Sequence, residues 1–186
     1  AAGTPGSSDP GARLVAAVRA GGCPIVPIPG ASAVATALSA SGLPADRYLF
    51  LGFPARKGTE RAEELARAAS EQWTVVFYEA PPRLVALLRD LAEVCGPGRR
   101  AVVARELTKL HEEFRAGTLE ELSAWYTEHP PKGEITLVLE GAPVTSAAPP
   151  DPEALRAQAA ALLAEGLTRK DVVRRLTEST GLGRNE

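Results

Sequence analysis

Charged side chains cluster directly after an apolar run between Arg105 and Glu113. This segment combines arginine, glutamate, lysine and histidine within a few positions. A solvated turn is the usual explanation of such a charge run. Because loops that follow strands carry most ligand and catalytic groups in alternating α/β proteins, an arginine, a glutamate and a lysine in this position favour a functional segment.

A second polar cluster, from Tyr78 to Arg83, follows another apolar run. Glu79 and Arg83 flank two prolines there. A local ion pair and a rigid ligand-binding edge explain this pattern equally well. Both alternatives therefore stay open at this point.

Two further loops are rich in small residues. The loop from Gly3 to Gly11 holds three glycines but lacks the Gly-Lys-Ser/Thr sequence of a phosphate-binding loop, so a tight turn capped by Asp9 is favoured. The stretch from Ile28 to Ala33 opens a predicted helix with Gly, Ala and Ser. It could expose backbone amides to a ligand, or simply allow the helix to pack closely on a sheet.

Strands and helices alternate along the chain, which predicts a mostly parallel sheet covered by helices. The predicted strands cover residues 25–28, 48–53, 74–78, 101–105 and 134–140, with a possible antiparallel addition at 110–115. The predicted helices run from Asp9-Pro10 to Gly21-Gly22, over 31–41, 61–70 and 82–94, from a capping box at Thr118 to near His129, and over 152–164 and 169–178.

The composition is that of an ordinary globular protein: 186 residues, 45% hydrophobic and 24% charged. Apolar runs are too short for a membrane span and no export signal is visible, so we expect a cytosolic protein without membrane contact. Aromatic residues make up only 5% and the net charge is -2, so any RNA-binding surface must be assembled by folding. Cys23 and Cys95 are predicted to be buried reduced thiols, and no metal site is expected.

Motifs spread over nearly the whole chain carry a resemblance to a known family. They lie at residues 2–11, 27–33, 37–38, 41–44, 52–53, 78–79, 105–109 and 132–134. In this order they resemble the ribosomal RNA small-subunit methyltransferase I family of the tetrapyrrole methylase superfamily. The Arg-Glu-Leu-Thr-Lys segment at 105–109 separates that family from its porphyrin-methylating relatives.

The resemblance implies an α/β fold with two α/β domains, mixed and mostly parallel sheets, and a C-terminal helical extension. It divides the chain into the remainder of an N-terminal donor-binding domain (1–46), a second α/β domain (47–141), a linker (142–151) and a helical tail (152–186). It also implies S-adenosylmethionine as methyl donor, no metal, small ribosomal subunit RNA as partner and a homodimer. The donor-contacting positions that it implies are Gly3, Thr4, Pro5, Ser32, Ala33, Phe53, Glu79 and Ala80.

The implied acceptor is the ribose 2'-hydroxyl of a cytidine, a poor nucleophile until its proton leaves. The resemblance puts Arg105, Glu106 and Lys109 on the RNA side. Lys109 could accept the proton if desolvation lowers its pKa, or could stabilise the developing alkoxide, whereas Arg105 could only stabilise charge or hold phosphate. Glu79 and Glu106 are rival bases, and the sequence does not rank them.

Two alternatives to this function stay open. A tetrapyrrole C-methyltransferase would use the same donor loops, and a binding or dimerisation fragment would have no activity of its own. The chain opens on Ala1, without methionine and without the family's first strands and helices. We therefore expect a fragment that lacks much of the donor-binding domain, and we expect these residues alone to bind S-adenosylmethionine weakly or not at all.

Overall fold

The chain divides into two compact units, Ala1–Ala142 and Pro143–Glu186. The structure is a computed structural model that describes residues 11–143, 152–164 and 167–180. The predicted cap at Asp9-Pro10, most of the predicted linker at 142–151 and the donor positions Gly3, Thr4 and Pro5 lie outside these described residues. The predicted boundary between residues 46 and 47 stays a prediction.

The first unit is built around a five-stranded mixed sheet in the order β1-β2-β5-β3-β4. Its strands are β1 (Tyr48–Gly52), β2 (Thr74–Glu79), β3 (Arg100–Arg105), β4 (Glu113–Thr118) and β5 (Ile135–Leu139). Only the β1–β2 pair is parallel, because β5 lies antiparallel between β2 and β3, and β4 is antiparallel to β3. The α/β class and the mixed sheet are confirmed, while the expectation of mostly parallel pairing is wrong for the described strands.

Side chains alternate between the two faces of this sheet, and each face has its own core. Val75 and Phe77 of β2 pack with helices α3 (Thr59–Ser70), α4 (Leu84–Cys95) and α5 (Leu119–Glu128) on what we call the three-helix face. Val76 and Tyr78 point to the other face, which is covered by α2 (Ala33–Ser41) and is called the α2 face. Neighbouring residues of a strand therefore contribute to different cores, one on each side of the sheet.

The stretch 25–28, predicted as a strand, is not a strand. Val26 and Ile28 are each 81% exposed, and no described strand pairs with this segment, so its β-branched residues have no ladder to join. It follows helix α1 (Ala12–Ala20), and the nearby Cys23 is exposed rather than buried. The predicted strand at 110–115 begins three residues later, at Glu113, because residues 106–112 form a turn.

The second unit contains the two predicted tail helices, α6 (Pro152–Ala164) and α7 (Arg169–Thr180). Thr168 caps α7 as predicted, since its Oγ1 accepts a hydrogen bond from Asp171 N at 3.3 Å. Among all described helices, none combines the length and the apolar character that crossing a bilayer requires.

The predicted capping box of α5 is present. Thr118 Oγ1 accepts from Glu121 N at 3.2 Å, and Glu121 Oε2 accepts from Thr118 N at 2.9 Å. This box fixes the turn that leads from β4 into α5. It thereby sets where α5 begins against the sheet.

We predict that Thr118→Ala lowers the free energy of unfolding by about 1 kcal/mol, because the first turn of α5 loses a side-chain acceptor. Urea denaturation followed by circular dichroism measures this. Thr59→Ala is the matched control, since Thr59 opens α3 with no side-chain cap bond and should shift stability by less than about 0.5 kcal/mol. Equal effects of the two substitutions would contradict a role for the cap.

Candidate functional site

The carboxyl ends of three strands share one edge of the sheet, here called the strand-end edge. β1 and β2 are parallel, and β3 runs in the same direction because both β2 and β3 are antiparallel to β5. Glu79 and Arg105 both pair with Ile135, so β2 and β3 end at the same level. The loops that follow Gly52, Glu79 and Arg105 therefore emerge where the chain enters β5.

On the α2 face, Tyr78 of β2 lies between the start of helix α2 and Phe53 in the loop after β1. Ser32 caps α2 and accepts a backbone hydrogen bond at 3.4 Å, and Ala33 is the first helical residue. Burial raises the pKa of Tyr78, and a backbone hydrogen bond from Val34 partly offsets this shift. The Phe53 ring lies 5.4 Å from the Tyr78 ring and is 54% exposed. Phe53, Tyr78 and the first turn of α2 thus form one neighbourhood.

Glu79 does not face this neighbourhood. It lies one position after Tyr78 and so points to the three-helix face, where it is 2% exposed and forms an ion pair with Arg83. Its Oε1 also accepts from Ala80 N at 2.7 Å. The local ion pair, one of the two alternatives for this motif, is therefore present, and Ala80 serves to fix the carboxylate through its backbone.

Arg105 also points to the three-helix face, where its β4 partner Glu113 holds it. Arg105 Nε donates to Glu113 Oε2 at 2.6 Å, and Arg115 Nε donates to Glu113 Oε1 at 3.2 Å. Burial opposes ionisation of Glu113, but hydrogen bonds and charge from both arginines outweigh it and lower the pKa of this carboxyl group. The carboxylate thus fixes two guanidinium groups side by side.

Glu106 joins the loop after β3 to the chain that enters β5, in an arrangement that we call the Glu106 clasp. Its backbone N donates to Glu134 O at 3.0 Å, and its Oε1 accepts from Glu134 N at 2.9 Å. Lys109 Nζ lies 3.1 Å from Glu106 Oε1 and 3.0 Å from Glu134 Oε2. The motifs at 105–109 and 132–134, distant in sequence, are therefore parts of one structure.

The clasp favours the charged forms of Glu106 and Lys109. The backbone hydrogen bond from Glu134 and then the side-chain bond from Lys109 lower the pKa of Glu106. Hydrogen bonds to Glu134 and Glu106 raise the pKa of Lys109. Hydrogen bonding therefore outweighs desolvation at Lys109, and the charged ammonium form is favoured in this structure.

The backbone of the clasp leaves no room for a side chain at Gly133. Gly133 has φ 85°, and a Cβ atom added there would overlap the Glu106 carboxylate. Glu106 and Thr108 themselves adopt left-handed φ values of 52° and 66°. Such conformations persist in non-glycine residues only where surrounding bonds impose them, and here Glu112 Oε2 accepts from Thr108 N at 2.6 Å.

Sequence reasoning missed Tyr78 and Glu134 as contacts of the site. Both stand inside family motifs, and Tyr78 directly precedes Glu79, which the resemblance implies as a donor contact. The signal that could have identified Tyr78 is the two-residue period of β2, which puts Tyr78 and Glu79 on opposite faces. Nothing local predicts the contact of Glu134 with Glu106, since 28 residues separate them.

We predict that Gly133→Ala lowers the free energy of unfolding by about 1–3 kcal/mol. Alanine is strained at the positive φ of this position, and its Cβ would collide with the Glu106 carboxylate. Gly98→Ala is the control, because a Cβ atom there meets nothing within 4 Å. In a Glu106→Ala background the cost of Gly133→Ala should fall, because only the backbone strain remains. An unchanged cost, measured by urea denaturation, would show that the two residues do not interact.

We predict that Glu106→Gln destabilises the protein in a pH-dependent way. The folded-state pKa of Glu106 lies below its unfolded value, so the ionised clasp contributes its full stability above the ordinary glutamate range. This contribution disappears as the pH falls through the lowered pKa. The difference between wild type and variant in urea denaturation should therefore shrink on acidification, and a Lys109→Met background should reduce but not abolish it. A difference independent of pH would refute this account.

Comparison with known proteins agrees with the motifs. The family model described as Tetrapyrrole (Corrin/Porphyrin) Methylases matches residues 1–123. A Synechocystis protein named "Ribosomal RNA small subunit methyltransferase I" is 46% identical over 185 residues, covering 100% of this chain and 66% of its own length. A Mycobacterium bovis protein of the same name is 51% identical over 141 residues, covering 76% of this chain and 49% of its own length. The chain thus spans less than two thirds of either relative.

Solved structures share the fold at lower identity. The methyltransferase CobJ matches with a TM-score of 0.58 at 22% identity, over 76% of this chain and 63% of its own. Uroporphyrin-III C-methyl transferase from Thermus thermophilus, complexed with S-adenyl homocysteine, matches with a TM-score of 0.52 at 18% identity, over 74% of this chain and 62% of its own. The chain belongs to the tetrapyrrole (corrin/porphyrin) methylase family, and the resemblance of its motifs to the ribosomal RNA small-subunit methyltransferase I proteins is confirmed.

Proposed function

We propose that this chain is part of an S-adenosylmethionine-dependent methyltransferase that modifies the ribose 2'-hydroxyl of a cytidine in small-subunit ribosomal RNA. The observation that carries the proposal is the Glu106 clasp, which joins residues 105–109 to the motif before β5. By resemblance, residues 105–109 distinguish the ribosomal RNA small-subunit methyltransferase I proteins from their porphyrin-methylating relatives. The names of relatives at 46% and 51% identity support small-subunit ribosomal RNA as the substrate, and the family resemblance supplies the cytidine 2'-hydroxyl. Homodimerisation, a cytosolic location and the absence of a metal requirement are further parts of this proposal.

The described residues fit a nucleoside-containing donor on the α2 face. An exposed aromatic ring at Phe53, the small residues Ser32 and Ala33 and the hydroxyl of Tyr78 surround the start of α2, while the nearest acidic group at the end of β2 points away. S-adenosylmethionine, when bound, supplies a methyl group on a positively charged sulfur. Ser32, Ala33 and Phe53 would hold it, together with Gly3, Thr4 and Pro5, whereas Glu79 and Ala80 would act only by fixing the loop after β2.

On the acceptor side, Lys109 would stabilise charge rather than accept a proton. Its raised pKa keeps the ammonium group charged at neutral pH, where it can stabilise the oxygen that becomes negative as a ribose hydroxyl loses its proton. The lowered pKa of Glu106 makes this carboxylate a weak base. Glu106 therefore acts as a positioning residue for Lys109, and Arg105 is left to hold phosphate.

The proposal is tested in a chimera in which this chain replaces its matching segment of the Synechocystis relative. Tritium transfer from labelled S-adenosylmethionine to unmodified small ribosomal subunits is measured, with uroporphyrinogen as the competing acceptor. We expect transfer to ribose in small-subunit RNA and none to uroporphyrinogen, whereas the 186-residue chain alone should transfer little or nothing. Transfer to uroporphyrinogen alone, or to neither acceptor, would overturn the proposal.

Lys109→Ala in this chimera should lower the rate of transfer by about 10²-fold, the usual effect of removing one charge-stabilising donor. Lys109→Arg should retain part of the rate because the positive charge remains. Arg67→Ala is the control, since Arg67 is an exposed cation on α3 without a side-chain partner among the described residues. A wild-type rate in Lys109→Ala would remove Lys109 from the mechanism.

A further inference from the structure

A cavity of about 310 Å³ opens on the three-helix face, between β3, β4, α5 and the segment that leads into β5. Three of its lining residues, Arg105, Glu113 and Arg115, form the ion-paired group described above. The other lining residues come from α5 and from the segment that leads into β5. Arg105 and Lys132, which directly precede the two halves of the Glu106 clasp, both line it. The cavity therefore lies next to the clasp, on the opposite side of the sheet from Tyr78 and α2.

Positive charge dominates the cavity wall. Arg105 and Arg115 each donate to Glu113 through Nε, and Glu113 is the only carboxylate among the lining residues. Lys132 is exposed and forms no ion pair with any described residue. Three permanent cations thus surround one carboxylate, which suits an anionic ligand.

One wall of the cavity is a stack of flat groups. The Arg115 guanidinium lies 3.8 Å from the centre of the Trp125 ring. His129 stacks on Trp125 with ring centres 3.9 Å apart and an interplanar angle of 12°, and its Nδ1 lies 3.0 Å from Trp125 O. Because these groups are already ordered, a further flat ring could extend the stack at low entropic cost.

Tyr126 also lines the cavity and is 2% exposed. Its hydroxyl makes no hydrogen bond of good geometry with the described residues, although the side chain of Arg115 lies close enough to interact with it. Burial and the charge of Glu113 raise the pKa of Tyr126, although Arg115 and Arg105 counteract this, so the phenol is neutral and keeps its proton. Because the hydroxyl oxygen itself is buried, the groups that a ligand in this cavity can reach are the cations and the stack.

We infer that this cavity binds one nucleotide of single-stranded RNA, with its phosphate at Arg105, Arg115 and Lys132 and its base against the Trp125–His129 stack. The inference rests on the proposed function, because it names a contact of the same RNA substrate. The bound nucleotide is a neighbour of the methylated one, since the sheet separates the cavity from the α2 face. A simple anion would contact the cations but not the Trp125–His129 stack. A base inside a duplex is paired and stacked, so it could not reach the stack.

Binding is measured by fluorescence anisotropy with the 186-residue chain and a labelled single-stranded RNA of about 12 nucleotides. The same RNA with abasic sites and the corresponding duplex serve as further probes. We expect Trp125→Ala to weaken binding about 10-fold through lost stacking. Lys132→Ala should weaken binding and reduce the slope of log K against log salt by about 0.7. Arg115→Lys keeps the charge but loses the planar group over Trp125, so it should also weaken binding.

Arg67→Ala is the control for a general loss of positive charge, and thermal unfolding of each variant checks the fold. Weakened binding in the cavity variants alone, with poor binding of abasic and duplex RNA, supports the inference. It is overturned if Lys132→Ala and Arg115→Lys bind like wild type, if abasic or duplex RNA binds equally well, or if wild type binds no RNA. These outcomes are independent of the chimera assay, so RNA binding without methyl transfer would refute the proposed function alone.

Discussion

The carboxylate of Glu106 is the contact on which the geometry of the strand-end edge depends. It accepts hydrogen bonds from Glu134 N at 2.9 Å and from Lys109 Nζ at 3.1 Å, and thereby ties the end of β3 to the start of β5. Because this side chain occupies the space where a Cβ of residue 133 would lie, glycine is required there. A single acidic group thus explains why two separate motifs carry their particular residues.

The second constraint is the two-residue alternation of the strands, which assigns neighbouring residues to opposite sides of the sheet. Tyr78 belongs to the α2 face together with Phe50, whose ring centre lies 4.9 Å from its own. Glu79 and Arg105 belong to the three-helix face. The sheet therefore separates a neutral, partly aromatic surface beside α2 from a cationic surface beside α5, although both use the same strand ends.

The sequence predicted the elements more completely than the contacts between them. The capping residues Thr118 and Thr168 act through neighbours three positions away, so local spacing sufficed to find them. The segment 25–28 shows the limit of such reasoning. Its β-branched residues favour a strand, but a strand also needs a neighbouring strand to pair with, and no described strand pairs with this segment. Local spacing does not predict that Glu106 and Lys132 lie at the same end of the sheet. The family resemblance is what links the two motifs that contain them.

The stack at α5 escaped sequence reasoning for a different reason. Aromatic residues make up only 5% of this chain, so the sequence shows no aromatic-rich surface for base stacking and any such surface has to be assembled by folding. Trp125 and His129 are four positions apart and so share one side of a helix, but Arg115 reaches them from β4. Composition averages over the chain, whereas a binding surface needs only a few residues at one place.

The central position of β5 bears on how the polypeptide emerges during translation. β5 is the last of the described strands in chain order, yet it separates β2 from β3 in the sheet. Until residue 139 has left the ribosome, β2 and β3 each expose an unpaired edge, and nascent chains with such edges are prone to aggregate. The described sheet is therefore completed only when its middle strand is inserted late between two edges that are already made.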